Sequence, residues 1–102
     1  MLNQVVMVGR ITGQPNLEKK EDGSKYTNIK IAVPRSYKNE EGIYDTDFID
    51  CVLCSSLAEN AVEYCKQGDL VGIKGRLQNN DNILNVVAEK LTFLSSSRKS
   101  DE

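Results

Sequence analysis

The opening stretch, Asn3-Gln4-Val5-Val6-Met7-Val8-Gly9-Arg10-Ile11, constrains this chain more than any other. Its β-branched and apolar residues read as a strand, along which side chains alternate between two faces. Val5, Met7 and Ile11 therefore share one face, and Val6 and Val8 the other. A strand in the wall of a small solvated barrel needs only one apolar face. Two apolar faces require a cover for the second, either a helix or another copy of the chain. The strand runs into Gly9-Arg10, and a similar pattern returns in Leu70-Val71-Gly72-Ile73-Lys74-Gly75-Arg76-Leu77. Glycines inside strands let a small barrel bend sharply or let a ligand approach closely. Between the two lies the basic-aromatic-basic cluster Arg35-Ser36-Tyr37-Lys38. Together these features point to a small β-barrel that binds a polyanion.

With 102 residues the chain has room for one core and one domain. It holds no run of eighteen apolar residues, so no transmembrane helix is expected. The first residues show no basic stretch followed by a long apolar one, so no secretory leader is expected either. Three cysteines, an odd number, argue against a disulfide framework and for a reducing, cytoplasmic setting. A formal charge of −2 weighs against a nucleic-acid partner. The distribution of charge matters more than its sum. Arg10, Lys30, Arg35, Lys38, Lys74 and Arg76 fall on or beside the predicted strands. The acids gather elsewhere: Glu40, Glu41, Asp45 and Asp47 in a loop, Glu59 and Glu63 on a helix, Asp101 and Glu102 at the end. Composition alone favours a surface coated by both signs; the segregation favours a basic track.

After the first strand, Thr12-Gly13-Gln14-Pro15-Asn16 is a turn cluster, and Lys19-Lys20-Glu21-Asp22-Gly23-Ser24 carries an Asp-Gly hairpin signal. Ile29, Ile31 and Val33 then alternate with Asn28, Lys30 and Ala32 as a half-buried second strand, which Pro34 limits. Residues 38–46 read as a charged loop. In the third strand, 48–54, Ile49, Cys51 and Leu53 form the core face, while Phe48, Asp50, Val52 and Cys54 share the other. Ser56-Leu57-Ala58-Glu59 fits a capping box. The helix that follows has Leu57, Ala58, Ala61, Val62 and Cys65 as its apolar stripe, with Gly68 as its stop. The fourth strand, 70–77, turns Val71, Ile73 and Leu77 inward. Asn79-Asn80-Asp81-Asn82 is a tight turn into a fifth strand, 83–94. Three strands, a helix and two strands is the order of an OB-fold, a five-stranded, partly open barrel with its helix between strands three and four. The expected domain is 1–94, followed by a short polar tail, 95–102.

Chemistry beyond binding finds little support. Cys51 and Cys54 lie three residues apart on a strand, which sends their sulfurs to opposite faces about 10 Å apart. With no histidine and no second Cys-x-x-Cys, four zinc ligands are not at hand, and no metal or cofactor is expected. Without histidine, a phosphate-cradling glycine loop or a nucleophile elbow, the chain has no visible catalytic set and is not expected to be an enzyme.

An ordered series of segments resembles the bacterial single-stranded DNA-binding protein family. It comprises residues 2–12, then Ile31-Ala32-Val33-Pro34-Arg35-Ser36-Tyr37-Lys38, Asp47-Phe48-Ile49-Asp50-Cys51-Val52, Leu57-Ala58-Glu59-Asn60, and residues 64–77. The resemblance implies an OB-fold homotetramer without catalytic activity that binds single-stranded DNA irrespective of sequence, in replication, repair or recombination. The family stacks bases on several tryptophans and a phenylalanine, and this chain has no tryptophan. Tyr37 and Phe48 stand at two of the aromatic positions, and Cys54 at a third. The loop between the last two strands is short, and the chain stops at Ser100-Asp101-Glu102 without the family's acidic Pro-Phe tip, through which repair enzymes are recruited. A short paralogue, or a phage or mobile-element copy, would have this form.

Single-strand binding needs cations for phosphates and flat π-faces for bases. The implied contacts are Arg10, Lys30, Arg35, Tyr37, Lys38, Phe48, Lys74 and Arg76. Phe48 shares its strand face with Asp50 rather than with Ile49 and Leu53, which favours exposure over a core role. Tyr26 and Tyr44 flank turns and could assist, whereas Tyr64, on the helix, reads as a packing residue. Two other readings follow from the missing aromatics, the short loop and the acidic balance. One is an OB-fold interaction subunit of a replication complex that binds DNA weakly; the other is an RNA-binding OB module.

Overall fold

The alternation of apolar and polar residues produces six strands and one helix in a computed structural model, which describes residues 1–96. The elements are β1 (Val5–Ile11), β2 (Glu18–Lys19), β3 (Lys25–Lys38), β4 (Tyr44–Cys54), α1 (Ser55–Tyr64), β5 (Leu70–Asn80) and β6 (Ile83–Ser95). β1 pairs with β5, β5 with β6, β6 with β4, β4 with β3, and β3 again with β1. That ring is the closed barrel of an OB-fold. Two seams are short: β1 meets β3 only at Arg10↔Ala32 and Ile11↔Ile31, and β6 lies parallel to β4 at Cys51↔Val86 and Val52↔Val87. The sixth strand is the two-residue β2, which folds back on the start of β3 through the Asp22-Gly23 turn. It moves the helix to a place between β4 and β5 without changing the order of the barrel strands.

The inward residues of the strands, including Ile11, Ile31, Leu53, Val71 and Ile73, are almost wholly buried. Ala58, Ala61 and Cys65 carry the core up to α1, which packs on β3, β4 and β6. Small side chains on this helix let it sit close to the barrel.

Three local expectations are corrected. The helix starts at Ser55 on an extended Cys54, and no side chain caps it. Glu59, the supposed capping-box partner, instead pairs with Lys25 at 2.8 Å. Leu77 is 43% exposed rather than inward, because β1 stops pairing with β5 at Val5↔Gly75 and leaves nothing over it. The Asn3 side chain extends that seam instead: its amide donates to the Leu77 carbonyl at 2.9 Å and accepts from the Leu77 N–H at 2.8 Å. Tyr64, at the end of α1, is 67% exposed and is not a core residue.

Both long hairpins reach further than the sequence suggests. The expected loop at 38–46 shrinks to Asn39–Ile43, where the Asn39 carboxamide accepts from the Glu41 and Ile43 N–H groups. The turn from β5 to β6 is just Asp81 and Asn82, both at positive φ, as a two-residue hairpin requires. Ser95 completes β6, and residues 97–102 of the expected tail lie outside the described residues.

Candidate nucleic-acid interface

The register of β3 against β4 builds the wall outward of the core. Tyr26 pairs with Cys54, Asn28 with Val52, Lys30 with Asp50 and Ala32 with Phe48. β1 continues the last row with Arg10 beside Ala32, and β6 and β5 continue the second with Val87 and Arg76. Arg10, Lys30, Phe48 and Arg76 therefore come onto one wall. Phe48 is 61% exposed there, since Ile49 beside it takes the core-facing side of β4. An exposed phenylalanine among cations has no core to fill and offers a free π-face.

One end of this wall is a cleft of about 470 Å³. It is lined by Tyr26, Asn28, Val52, Cys54, Arg76 and Val87 together with Lys20, Gln78, Asn80 and Asn85. The Lys20 ammonium sits 5.8 Å from the Tyr26 ring centroid. Sequence reasoning singled out Tyr26 and Arg76 but missed the four carboxamides. Their signal was the outward position of Asn28 and an Asn-rich segment that read only as a turn.

The β3–β4 hairpin runs on beyond the wall and carries Arg35, Tyr37 and Lys38. Between Pro34 and Lys38 the pairing register shifts, which leaves Tyr37 outside the ladder and 63% exposed. Arg35 donates two hydrogen bonds to the Asp47 carboxylate, at 2.9 and 3.1 Å, and lies 3.8 Å from Asp45. Those hydrogen bonds raise the guanidinium pKa, with Asp47, Tyr37 and Asp45 adding through their charges. The same bonds hold the Asp47 carboxyl below the usual range. The Lys38 ammonium lies 5.7 Å from the ring of Tyr44, which is 54% exposed.

Lys74 stands apart. It lies in the row Val6–Lys74–Lys90 on the wall of β1, β5 and β6, beside Val8. Val6 is 70% and Val8 49% exposed, so the second apolar face read from the first strand carries no cover from this chain's helix. The segregation of acids from bases along the sequence does not survive folding. Lys30 lies 3.7 Å from Asp50, Arg76 3.0 Å from Glu89, and Arg35 is held by Asp47.

The thiols differ sharply in environment. Burial, with a contribution from Asp50, pushes the Cys51 thiol up to about 12, and burial also raises Cys65. Cys54 is exposed at the cleft. Thiolate is the reactive form. Ellman's reagent at mildly alkaline pH should therefore titrate Cys54 in the folded protein and reach Cys51 and Cys65 only in denaturant. Rapid reaction of all three thiols without denaturant would contradict this burial pattern.

Comparisons with known proteins fit the barrel. The model of the single-strand binding protein family matches residues 2–94. The chain is similar to the single-stranded DNA-binding protein of Oceanobacillus iheyensis, with 38% identity over 94% of this chain and 65% of that protein. It is 42% identical to single-stranded DNA-binding protein B of Bacillus subtilis, over 76% of this chain and 69% of that protein. With the single-stranded DNA-binding protein of Halalkalibacterium halodurans the identity is 40%, over 92% and 61%. The chain thus spans about two-thirds of the length of these relatives. The crystal structure of a deletion mutant of the single-stranded DNA binding protein from Thermus aquaticus superposes with a TM-score of 0.75. At 22% identity, over 92% of this chain and 51% of that one, it shares the fold. With the family match running through every barrel strand, this chain belongs to the single-strand binding protein family.

Proposed function

We propose that residues 1–94 form a non-catalytic domain that binds single-stranded DNA irrespective of sequence, in replication, repair or recombination. The observation that carries this reading is the exposed Phe48 on a wall shared with Arg10, Lys30 and Arg76, in a barrel of this family. Bases would stack on Phe48 and on Tyr37, while Arg10, Lys30, Arg35, Lys38 and Arg76 would meet phosphates. Stacking needs only a π-face, so it tolerates any base. Lys74, on the other wall, would meet DNA only where the strand wraps around the barrel. Replication and repair proteins are the partners such a domain would serve. A cytoplasmic setting suits its three free cysteines. Titrating the protein with labelled oligo-dT, oligo-rU and duplex DNA tests the reading. Oligo-dT should bind tightest; equal binding of oligo-rU would favour an RNA module, and failure to bind any would favour an interaction subunit.

The assembly we propose is a homotetramer built as a dimer of dimers. The exposed Val6 and Val8 motivate it, because a second copy laid on β1 would cover them. Light scattering at micromolar concentration should return four times the 11.4 kDa chain mass. A monomer under those conditions would rule the assembly out.

A further inference from the structure

Carboxylates of the wall and of the β3–β4 hairpin are placed as specifically as the cations beside them. Among the described residues, four of the five ion pairs fall on three cations assigned above to phosphate. Lys30 holds Asp50, Arg35 holds Asp47 and Asp45, and Arg76 holds Glu89. Asp50 is the next outward residue after Phe48 on β4, and Arg35 lies two residues from Tyr37. The Arg35–Asp47 contact is a two-bond fork, the geometry that a guanidinium also offers a phosphate. Each of these cations already holds an anion where DNA would have to place one.

We propose, on the footing of the single-strand reading above, that Asp45, Asp47, Asp50 and Glu89 form an anion latch that makes the wall select single strands over other polyanions. The latch competes with phosphate at an effective concentration that the fold fixes and that dilution does not lower. A duplex or a polyphosphate offers charge alone and must displace a carboxylate at each of these three cations. A flexible single strand also offers bases, so it can bind by stacking and leave latched pairs closed. Exposed ion pairs are weak, so the latch opens without disturbing the barrel. The exchange also changes the response to salt. A cation that binds DNA releases a counterion from it, while a freed carboxylate takes one up from solution. The salt slope is therefore shallower than the number of cation–phosphate contacts implies.

The test compares D47N/D50N with E21Q/E63Q, which makes the same change in net charge at two carboxylates outside these ion pairs. Fluorescence anisotropy would follow labelled oligo-dT and a duplex of equal length across a salt series, with thermal melting to confirm folding. D47N/D50N should bind the duplex on the order of ten-fold tighter at low salt, gain no more than about three-fold on oligo-dT, and steepen the duplex salt slope by up to about 0.9 per freed cation. E21Q/E63Q should leave the ratio of the two affinities unchanged. The single variant D50N, which releases only the 3.7 Å Lys30 pair, should move the ratio in the same direction and serves if the double variant folds poorly. An unchanged ratio in D47N/D50N, or an equal gain in E21Q/E63Q, overturns the latch while the parent's binding of oligo-dT stands. A parent that does not bind oligo-dT overturns the single-strand reading, and the latch with it.

Discussion

Gly75→Ala should destabilise the barrel by more than about 2 kcal/mol, at the upper end of what a single added methyl costs in a packed interior. Gly75 lies inside the ladder, between Val5 on β1 and Ala88 on β6, at the point where the β5–β6 register shifts. A Cβ there would overlap the Val87 carbonyl oxygen and come within 3.0 Å of the Ala88 Cα. Both are backbone atoms of the paired strand, so no side-chain rotation makes room. Moving β6 away would in turn loosen its two-residue parallel seam with β4, which closes the ring. Gly9→Ala should behave similarly, since its methyl would overlap the Ile31 side chain and the Ala32 carbonyl at the other short seam. Gly13→Ala is the control, because nothing lies within 4 Å of its Cβ position. Urea denaturation checks the series. A Gly75→Ala variant with the parent's midpoint would show that the strands are less tightly apposed than described.

The three strand glycines illustrate what the sequence carries and what it leaves out. Gly9, Gly72 and Gly75 read alike as residues that relax a barrel strand. Folding separates them: a methyl on Gly72 would meet only ordinary contacts at 3.9 Å. The difference lies in the strand that crosses each position, and that depends on register. Alternation of side chains, by contrast, is a local property. It placed Ile29, Ile31, Cys51, Leu53, Val71 and Ile73 in the core and left Phe48 and Val6 outside without knowledge of any partner strand. Alternation misled only at Leu77, where the pattern continues past the end of β1 and the cover does not.

Electrostatics was the least legible part, for the same reason. Asp45 and Asp47 read as members of a solvated loop, ten or more residues from Arg35. The β3–β4 hairpin brings them back against it, because Pro34 pairs with Thr46 and Lys38 with Tyr44. A basic track in the sequence thus becomes a series of ion pairs in the fold, whereas the aromatic positions keep their exposure. For a wall whose charges are largely matched, the aromatics decide the strength of binding.

Tyr37→Ala and Phe48→Ala should therefore each weaken oligo-dT binding by roughly 1–3 kcal/mol, the usual contribution of one stacked base. That corresponds to about five-fold to more than a hundred-fold in Kd. Neither change should lower the melting temperature appreciably, since both rings are more than half exposed and leave no cavity behind. Tyr64→Ala removes an equally exposed ring at the end of α1, away from the wall, and should alter neither stability nor affinity. Cys54→Phe tests the converse. Cys54 faces outward from β4 opposite Tyr26, on the same side of the strand as Phe48, so an aromatic there adds a second ring to the cleft. It should strengthen binding of oligo-dT. Anisotropy of a labelled oligonucleotide is the suitable readout, because the chain has no tryptophan to report stacking. If Tyr37→Ala and Phe48→Ala both bind as tightly as the parent, bases do not stack on these rings. Whatever DNA affinity remained would then rest on the cations alone, of which carboxylates already hold Lys30, Arg35 and Arg76, and the domain would be better described as an interaction subunit than as a DNA-binding one.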